Sequence, residues 1–153
     1  MISAAPGFTV SGQLCFALYS ASRAVSSAYR KGLGRLGLTY PQYLVMLVLW
    51  EEGEVNLRAL SERLSLDSGT LSPLLKRLER QGMVVRRRHL DDERLLCVAS
   101  TPAGDALYDP ARQVQAEVEA ATGLGRAELV ELREQLHRLA DRTRSTVSLG
   151  AAG

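Results

Sequence analysis

Between Asn56 and Ser100 the chain changes its hydrophobic period, and that change constrains the fold more than any other feature of the sequence. Asn56 can cap a short helix through Leu64, and Asp67 a second one running to about Gln81, where Gly82 stops it. In the second helix Leu71, Leu74, Leu75 and Leu78 fall at i, i+3, i+4 and i+7, so they share one face and must turn to the core. Met83 to Arg88 and Arg94 to Ser100 are then β-prone runs around the polar turn His89 to Glu93, the pattern of a hairpin. Two short helices, a tight turn and a hairpin make a helix-turn-helix followed by a wing.

Helices flank this block on both sides. From Gly12 to Leu33 two adjacent stripes, Leu14-Leu18-Ala21-Val25-Ala28 and Cys15-Tyr19-Ser22-Ser26-Tyr29, follow helical spacing, and the glycines from Gly32 to Gly37 end the helix. Thr39 and Gln42 form a capping box, with Leu38 and Tyr43 set for a hydrophobic staple, opening a helix to about Glu52 before the Gly53 turn. Thr101-Pro102 starts a later helix that Pro110 is expected to kink before Thr122. After Gly125, Leu129, Leu132, Leu136, Leu139 and Thr143 form a narrow seam suited to packing on other helices. The reading is mainly α with a small β-wing, a winged helix-turn-helix.

A chain of 153 residues fits one domain. Its longest apolar run, Tyr43 to Trp50, falls far short of the ~20 residues that span a bilayer. Met1 to Val10 lacks the basic-then-apolar pattern of a secretory signal, so a cytoplasmic address is expected. In that compartment Cys15 and Cys97 are expected to be free thiols. With His89 and His137 and no CxxC or HExxH spacing, neither a metal site nor a cofactor is expected. Charge is unevenly spread. From Lys76 to Arg94 seven cations face four carboxylates, a local +3 in a chain whose net charge is +2. Such a cluster beside a helix is the footprint of a nucleic-acid surface, although a basic run alone is commonly just a solvated face.

Subtracting the leucine face from the Asp67–Gln81 helix leaves Gly69, Ser72, Pro73, Lys76, Arg77 and Arg80 pointing outward. Small and hydroxyl-bearing residues at the start let bases approach, while the later cations meet phosphates. With Ser68, Thr70 and Arg86 from the same segment, these are the expected DNA contacts. Pro73 cannot donate to the carbonyl four residues back, so either the first turn is distorted or the regular helix begins near Ser72. A contact between Pro73 and a thymine methyl is the functional alternative. In the hairpin, Asp92 can hold the Arg94 guanidinium and aim it at a minor groove. The bland alternative is a surface ion pair.

The segment LSERLSLDSGTLSPLLKRLERQGMVVRRRHLDDERLLCVASTPAG, Leu60 to Gly104, resembles the helix-turn-helix and wing of the MarR family of bacterial transcription regulators. LCFALYSASRAV and LGLTYPQYLVMLVLWE are similar, more narrowly, to the organic hydroperoxide resistance regulators of that family. The resemblance covers roughly Gln13 to Val147. It implies a homodimer built from the terminal helices, about 12–34 and 101–147, around a DNA-binding part at about 56–100. One domain is thus expected over 12–147, with an arm at 1–11 and a flexible tail at 148–153. The resemblance further implies repression of a peroxide-detoxifying gene and assigns Arg94 to the wing through Asp92-Glu93-Arg94. A two-fold symmetric dimer would read a pseudo-palindromic operator in double-stranded DNA.

A lone cysteine on a helix face is more commonly a packed hydrophobe than a reactive group. Tyr19 lies one turn beyond Cys15 and is expected to be a hydrogen-bond partner of the thiol, whereas Tyr29 lies 14 positions on, about 21 Å along a straight helix, and cannot reach it within one chain. In the regulators that this chain resembles, two tyrosines of the other subunit hydrogen-bond the reactive cysteine, and Tyr29 and Tyr40 fall at the matching positions. Phenolic donors and the positive end of a nearby helix favour a thiolate, the form that attacks a peroxide. The expectation is a repressor released from its operator when an organic hydroperoxide oxidises Cys15, a small external thiol then capping the sulfenic acid. Cys97 is expected to pack within a strand. Alternatives are release by a small phenolic ligand, or a thiol peroxidase. The latter would be expected to carry Thr-x-x-Cys, and Gly12 occupies that threonine position.

Overall fold

The computed structural model describes residues 8–88 and 96–150. Its elements, in chain order, are α1 (Leu14–Arg35), α2 (Tyr40–Glu52), β1 (Val55–Asn56), α3 (Leu57–Leu64), α4 (Ser68–Arg80), β2 (Val84–Arg88), β3 (Leu96–Ser100), α5 (Pro102–Asp105), α6 (Tyr108–Ala121) and α7 (Arg126–Gly150). This is the mainly helical fold with a small wing that the changing period predicts. The chain divides into two compact units, Met1–Gln115 and Ala116–Gly153, with the boundary inside α6.

Local chemistry sets the helix ends. Asn56 Oδ1 accepts the Ala59 N–H at 2.8 Å, and Asp67 Oδ1 accepts the Thr70 N–H at 2.8 Å. The Gln42 Oε1 accepts both the Thr39 N–H, at 2.9 Å, and the Thr39 hydroxyl, at 3.1 Å, while Leu38 and Tyr43 are buried on either side. At the other ends of α1 and α4 the chain turns through Gly37 and Gly82, with φ of 71° and 72°, a region that a side chain disfavours. In both turns the glycine N–H and the next N–H return to carbonyls of the last helical turn.

The core of the first unit gathers Leu33 of α1, Val45, Met46 and Leu49 of α2, Leu60 of α3, Leu71, Leu75 and Leu78 of α4, and Val98 of β3. The sheet order is β1-β3-β2, antiparallel throughout. β2 and β3 form the predicted hairpin, with Val84 opposite Ser100 and Arg88 opposite Leu96. β1 was not predicted, because two residues, Val55 and Asn56, carry no readable period.

Two prolines behave differently from expectation. α4 runs unbroken through Pro73, with Asp67 as its cap, so it neither begins near Ser72 nor loses its first turn. Pro73 removes only the rung to Gly69, and the Asp67 carboxylate holds the turn before it. Pro110 does not kink a long helix. The chain breaks earlier, at Ala106–Leu107, and Pro110 sits in the first turn of α6, where a missing N–H costs nothing.

A buried amide links distant parts of this unit. Gln42 is 1% exposed, and its Nε2 donates to Gln81 Oε1 at 3.4 Å, while Gln81 Nε2 donates to the Gly37 carbonyl at 3.0 Å. In the second unit, Glu128 Oε2 accepts the Gly125 N–H at 2.7 Å at the start of α7, and Arg133 pairs with Glu119. α7 extends past the expected limit at Val147, to Gly150.

Gly104 is required by a close approach. A Cβ there would stand 2.2 Å from the Met83 carbonyl oxygen. Alanine ordinarily gains about 0.5–1 kcal/mol over glycine in a helix, but forcing atoms into a packed site costs about 1–3 kcal/mol. Gly104→Ala should therefore lower the unfolding free energy in a urea titration, and an unchanged midpoint would contradict the packing described.

Candidate nucleic-acid interface and thiol site

The orientation of α4 follows from burial. Leu71, Leu75 and Leu78 are buried and Leu74 half-buried, which turns Ser68, Gly69, Thr70, Pro73, Lys76, Arg77 and Arg80 to solvent, with Ser72 half-buried at the edge. The Thr70 hydroxyl donates to Asp67 Oδ2 at 2.9 Å, so it can meet a base only as an acceptor while the cap holds. Lys76, Arg77 and Arg80 have no ion pair among the described residues. They supply a row of cations along the C-terminal half of the exposed face.

The strand cations are differently placed. Arg86, predicted as a DNA contact, directs its guanidinium to Glu79 of α4, with Nε 2.9 Å from Oε2. That bond holds the Glu79 carboxyl below its ordinary value. Arg87 pairs with Glu54, and on α3 Arg63 binds both Glu51 and Glu52 at 2.9 Å. Charge counting along the chain could not separate Arg86 from Lys76, because the partner depends on how the Gly82 turn brings β2 beside α4. Asp92, Arg94 and the turn His89–Glu93 lie outside the described residues.

Cys15 is exposed in the first turn of α1, and every residue from Leu14 to Val25 is exposed as well. Leu14, Leu18 and Val25 thus form an exposed apolar stripe, with Phe16 exposed on the other side of the helix. Tyr19 does not turn to the thiol. Its hydroxyl accepts from Arg23 Nη1 at 3.1 Å, and the same guanidinium lies over its ring. Tyr29 and Tyr40 come together where α1 and α2 meet, ring centroids 5.0 Å apart, with Tyr43 5.6 Å from Tyr29. Burial pushes the Tyr40 phenol up from its ordinary value, so it stays an O–H donor at neutral pH. α1 is unbroken from Cys15 to Tyr29, which keeps the two about 21 Å apart. Cys97 is buried in β3 between Asn56 and Arg87.

The family model described as MarR family matches residues 38–96, from the start of α2 to β3. The organic hydroperoxide resistance transcriptional regulator of Bacillus subtilis is 39% identical over 83% of this chain and 86% of its own length. The chain belongs to the MarR family. Among solved structures, reduced AbfR bound to DNA has a TM-score of 0.73 and 35% identity, covering 88% of this chain and 93% of that one. Overoxidised AbfR bound to DNA gives 0.73 and 34%, over 88% and 94%. This MarR-family chain is a DNA-binding transcriptional regulator, and no helix among its described residues is long and apolar enough to cross a membrane.

Within the interface the Asp67 cap is open to a pH test. The Thr70 N–H, and then its hydroxyl, hold the Asp67 carboxyl below its ordinary value. A carboxyl depressed by folding contributes stability above its unfolded value, about 3.9, and that contribution fades as pH falls through the lower folded value. Urea unfolding below about pH 4 should therefore erode the wild type more than Asp67→Ala. Parallel losses would show that the cap is not formed in solution.

Proposed function

We propose that this protein is a homodimeric, redox-sensing repressor that leaves a pseudo-palindromic operator when an organic hydroperoxide oxidises Cys15. The observation that carries the reading is the separation on α1. An exposed thiol sits at one end of a straight helix and a pair of tyrosines at the other, amid apolar side chains that one chain leaves uncovered. A second copy laid against α1 covers the stripe of Leu14, Leu18 and Val25 and brings its Tyr29 and Tyr40 to this Cys15. On α7, Val130, Leu132 and Leu136 are exposed apolar side chains as well, suited to cover by a second copy. The likeness to the Bacillus regulator and to reduced and overoxidised AbfR supports this reading.

In the sensing step the thiolate attacks the outer peroxide oxygen. A sulfur–oxygen bond forms as the oxygen–oxygen bond breaks, giving a sulfenic acid and, after protonation, an alcohol. A small external thiol then displaces water from the sulfenic acid, leaving a mixed disulfide. Cys97 is too buried to be that thiol. The added group displaces the tyrosine hydroxyls between the protomers and biases the dimer away from the spacing that the operator requires. On DNA, Ser68, Gly69, Thr70, Ser72 and Pro73 face the bases. Lys76, Arg77 and Arg80 meet phosphates, and Asp92 and Arg94 serve the wing.

Operator binding followed by fluorescence anisotropy during addition of cumene hydroperoxide tests this. Wild-type protein should dissociate, with mass spectrometry finding Cys15 oxidised first and carrying a thiol adduct. Cys15→Ser should remain bound, and its release by peroxide would overturn the reading. In salt titrations of the reduced protein, Lys76→Ala should flatten the log–log slope by about 0.9 for each phosphate contact removed.

A further inference from the structure

The seven cations between Lys76 and Arg94 look equivalent in sequence, yet the fold sorts those it describes into two kinds. Lys76, Arg77 and Arg80 project from α4 into solvent. Arg86 instead reaches back across the Gly82 turn to Glu79, where both Nε and Nη2 bond Oε2, at 2.9 Å and 2.5 Å. The two side chains are 24% and 36% exposed, half-withdrawn from water, where ionic strength screens a pair less than on an open surface. A guanidinium held through two of its donors is fixed in direction as well as distance.

The next residue anchors the other face of the same strand. Successive side chains of a strand point to opposite sides, and Arg87 pairs with Glu54, just before β1. β2 is therefore held from both faces, to α4 through Arg86 and to the segment before β1 through Arg87. It is also the strand from which the chain leaves towards Asp92 and Arg94.

We propose that Glu79 and Arg86 are positioning residues, a clamp that fixes the angle between the base-reading helix α4 and the wing strand β2, and that Arg86 does not contact a phosphate. The clamp rests on the DNA-binding role of the chain and is independent of oxidation at Cys15. It gives Glu79, an acid inside a basic segment, a role in specificity. It withholds one cation from non-specific attraction and uses it to hold the two reading elements in register.

The test compares reduced, full-length protein on two duplexes of equal length, an operator selected by the wild type from a randomised pool and an unrelated sequence, across a range of salt. Arg86→Gln should leave the salt slope on the unrelated duplex unchanged, while the operator-to-unrelated affinity ratio falls roughly fivefold or more, within the range of coupling between side chains in contact. Glu79→Gln should lower the same ratio, and by releasing Arg86 it should steepen the unrelated-duplex slope by up to about 0.9 per new phosphate contact. Exchanging the pair, Glu79→Arg with Arg86→Glu, should restore most of the ratio. Where a glutamine variant melts early, Arg86→Lys keeps the charge but not the two-donor bond, and should show the same fall. An Arg86→Gln protein whose slope flattens by about 0.9 per contact with its ratio intact would overturn the clamp. So would unchanged ratios in both single variants. Wild-type protein that bound no duplex would overturn the DNA-binding reading and the clamp with it.

Discussion

The rotation of α4 about its own axis is the constraint on which the rest of the interface depends. Leu71, Leu75 and Leu78 are buried to within 2% exposure or less, and side chains of that size gain about 1.5–3 kcal/mol each on full burial. No surface interaction available to Lys76, Arg77 or Arg80 approaches that sum, since exposed ion pairs contribute about 0–1 kcal/mol. The leucines therefore decide which way the helix faces, and the polar residues take the side left over. The chemistry that α4 presents to solvent is a consequence of packing on the opposite side of the same helix.

That dependence explains why so much of this region could be read from the chain alone. A four-leucine stripe is a local pattern, and so are the caps at Asn56, Asp67 and Thr39 and the glycines that close α1 and α4. Each acts within a few residues, and each appears in the structure where the spacing predicts it. What escaped prediction depends on neighbours far along the chain. β1 exists because β3 offers Val98 and Cys97 to pair with it. Arg86 finds Glu79 only after the chain has reversed at Gly82. Proline erred in the other direction. Its local rule is overridden by a strong cap ahead of Pro73 and by a helix that begins at Tyr108.

The thiol site shows the same division. That Cys15 and Tyr29 share one helix is legible from spacing, and their separation follows from helical rise alone. The engagement of Tyr19 with Arg23 was not legible, because Arg23 is one turn beyond Tyr19 and nothing in the spacing favours it over Cys15 one turn before. Nor could spacing show that Tyr29 and Tyr40 face each other, which requires α2 to fold back across the end of α1. The long exposed stretch of α1 is unusual for a helix with this many apolar residues, since most helical stability in proteins comes from packing one face. In the proposed dimer, where a second copy covers this stretch, folding of the segment and assembly are a single event.

The buried amide of Gln42 adds a different kind of information to the fold. An aliphatic side chain at that position would hold the α1–α2 corner against the end of α4 equally well in several slightly shifted arrangements, because apolar contact has no direction. The amide has two distinguishable ends, one accepting from Thr39 and the other donating to Gln81, and a displacement of either neighbour leaves a polar atom stranded away from water. The corner that carries Tyr29 and Tyr40 and the C-terminal end of α4 are thus indexed to one another through one side chain, so that a shift of either is felt by the other.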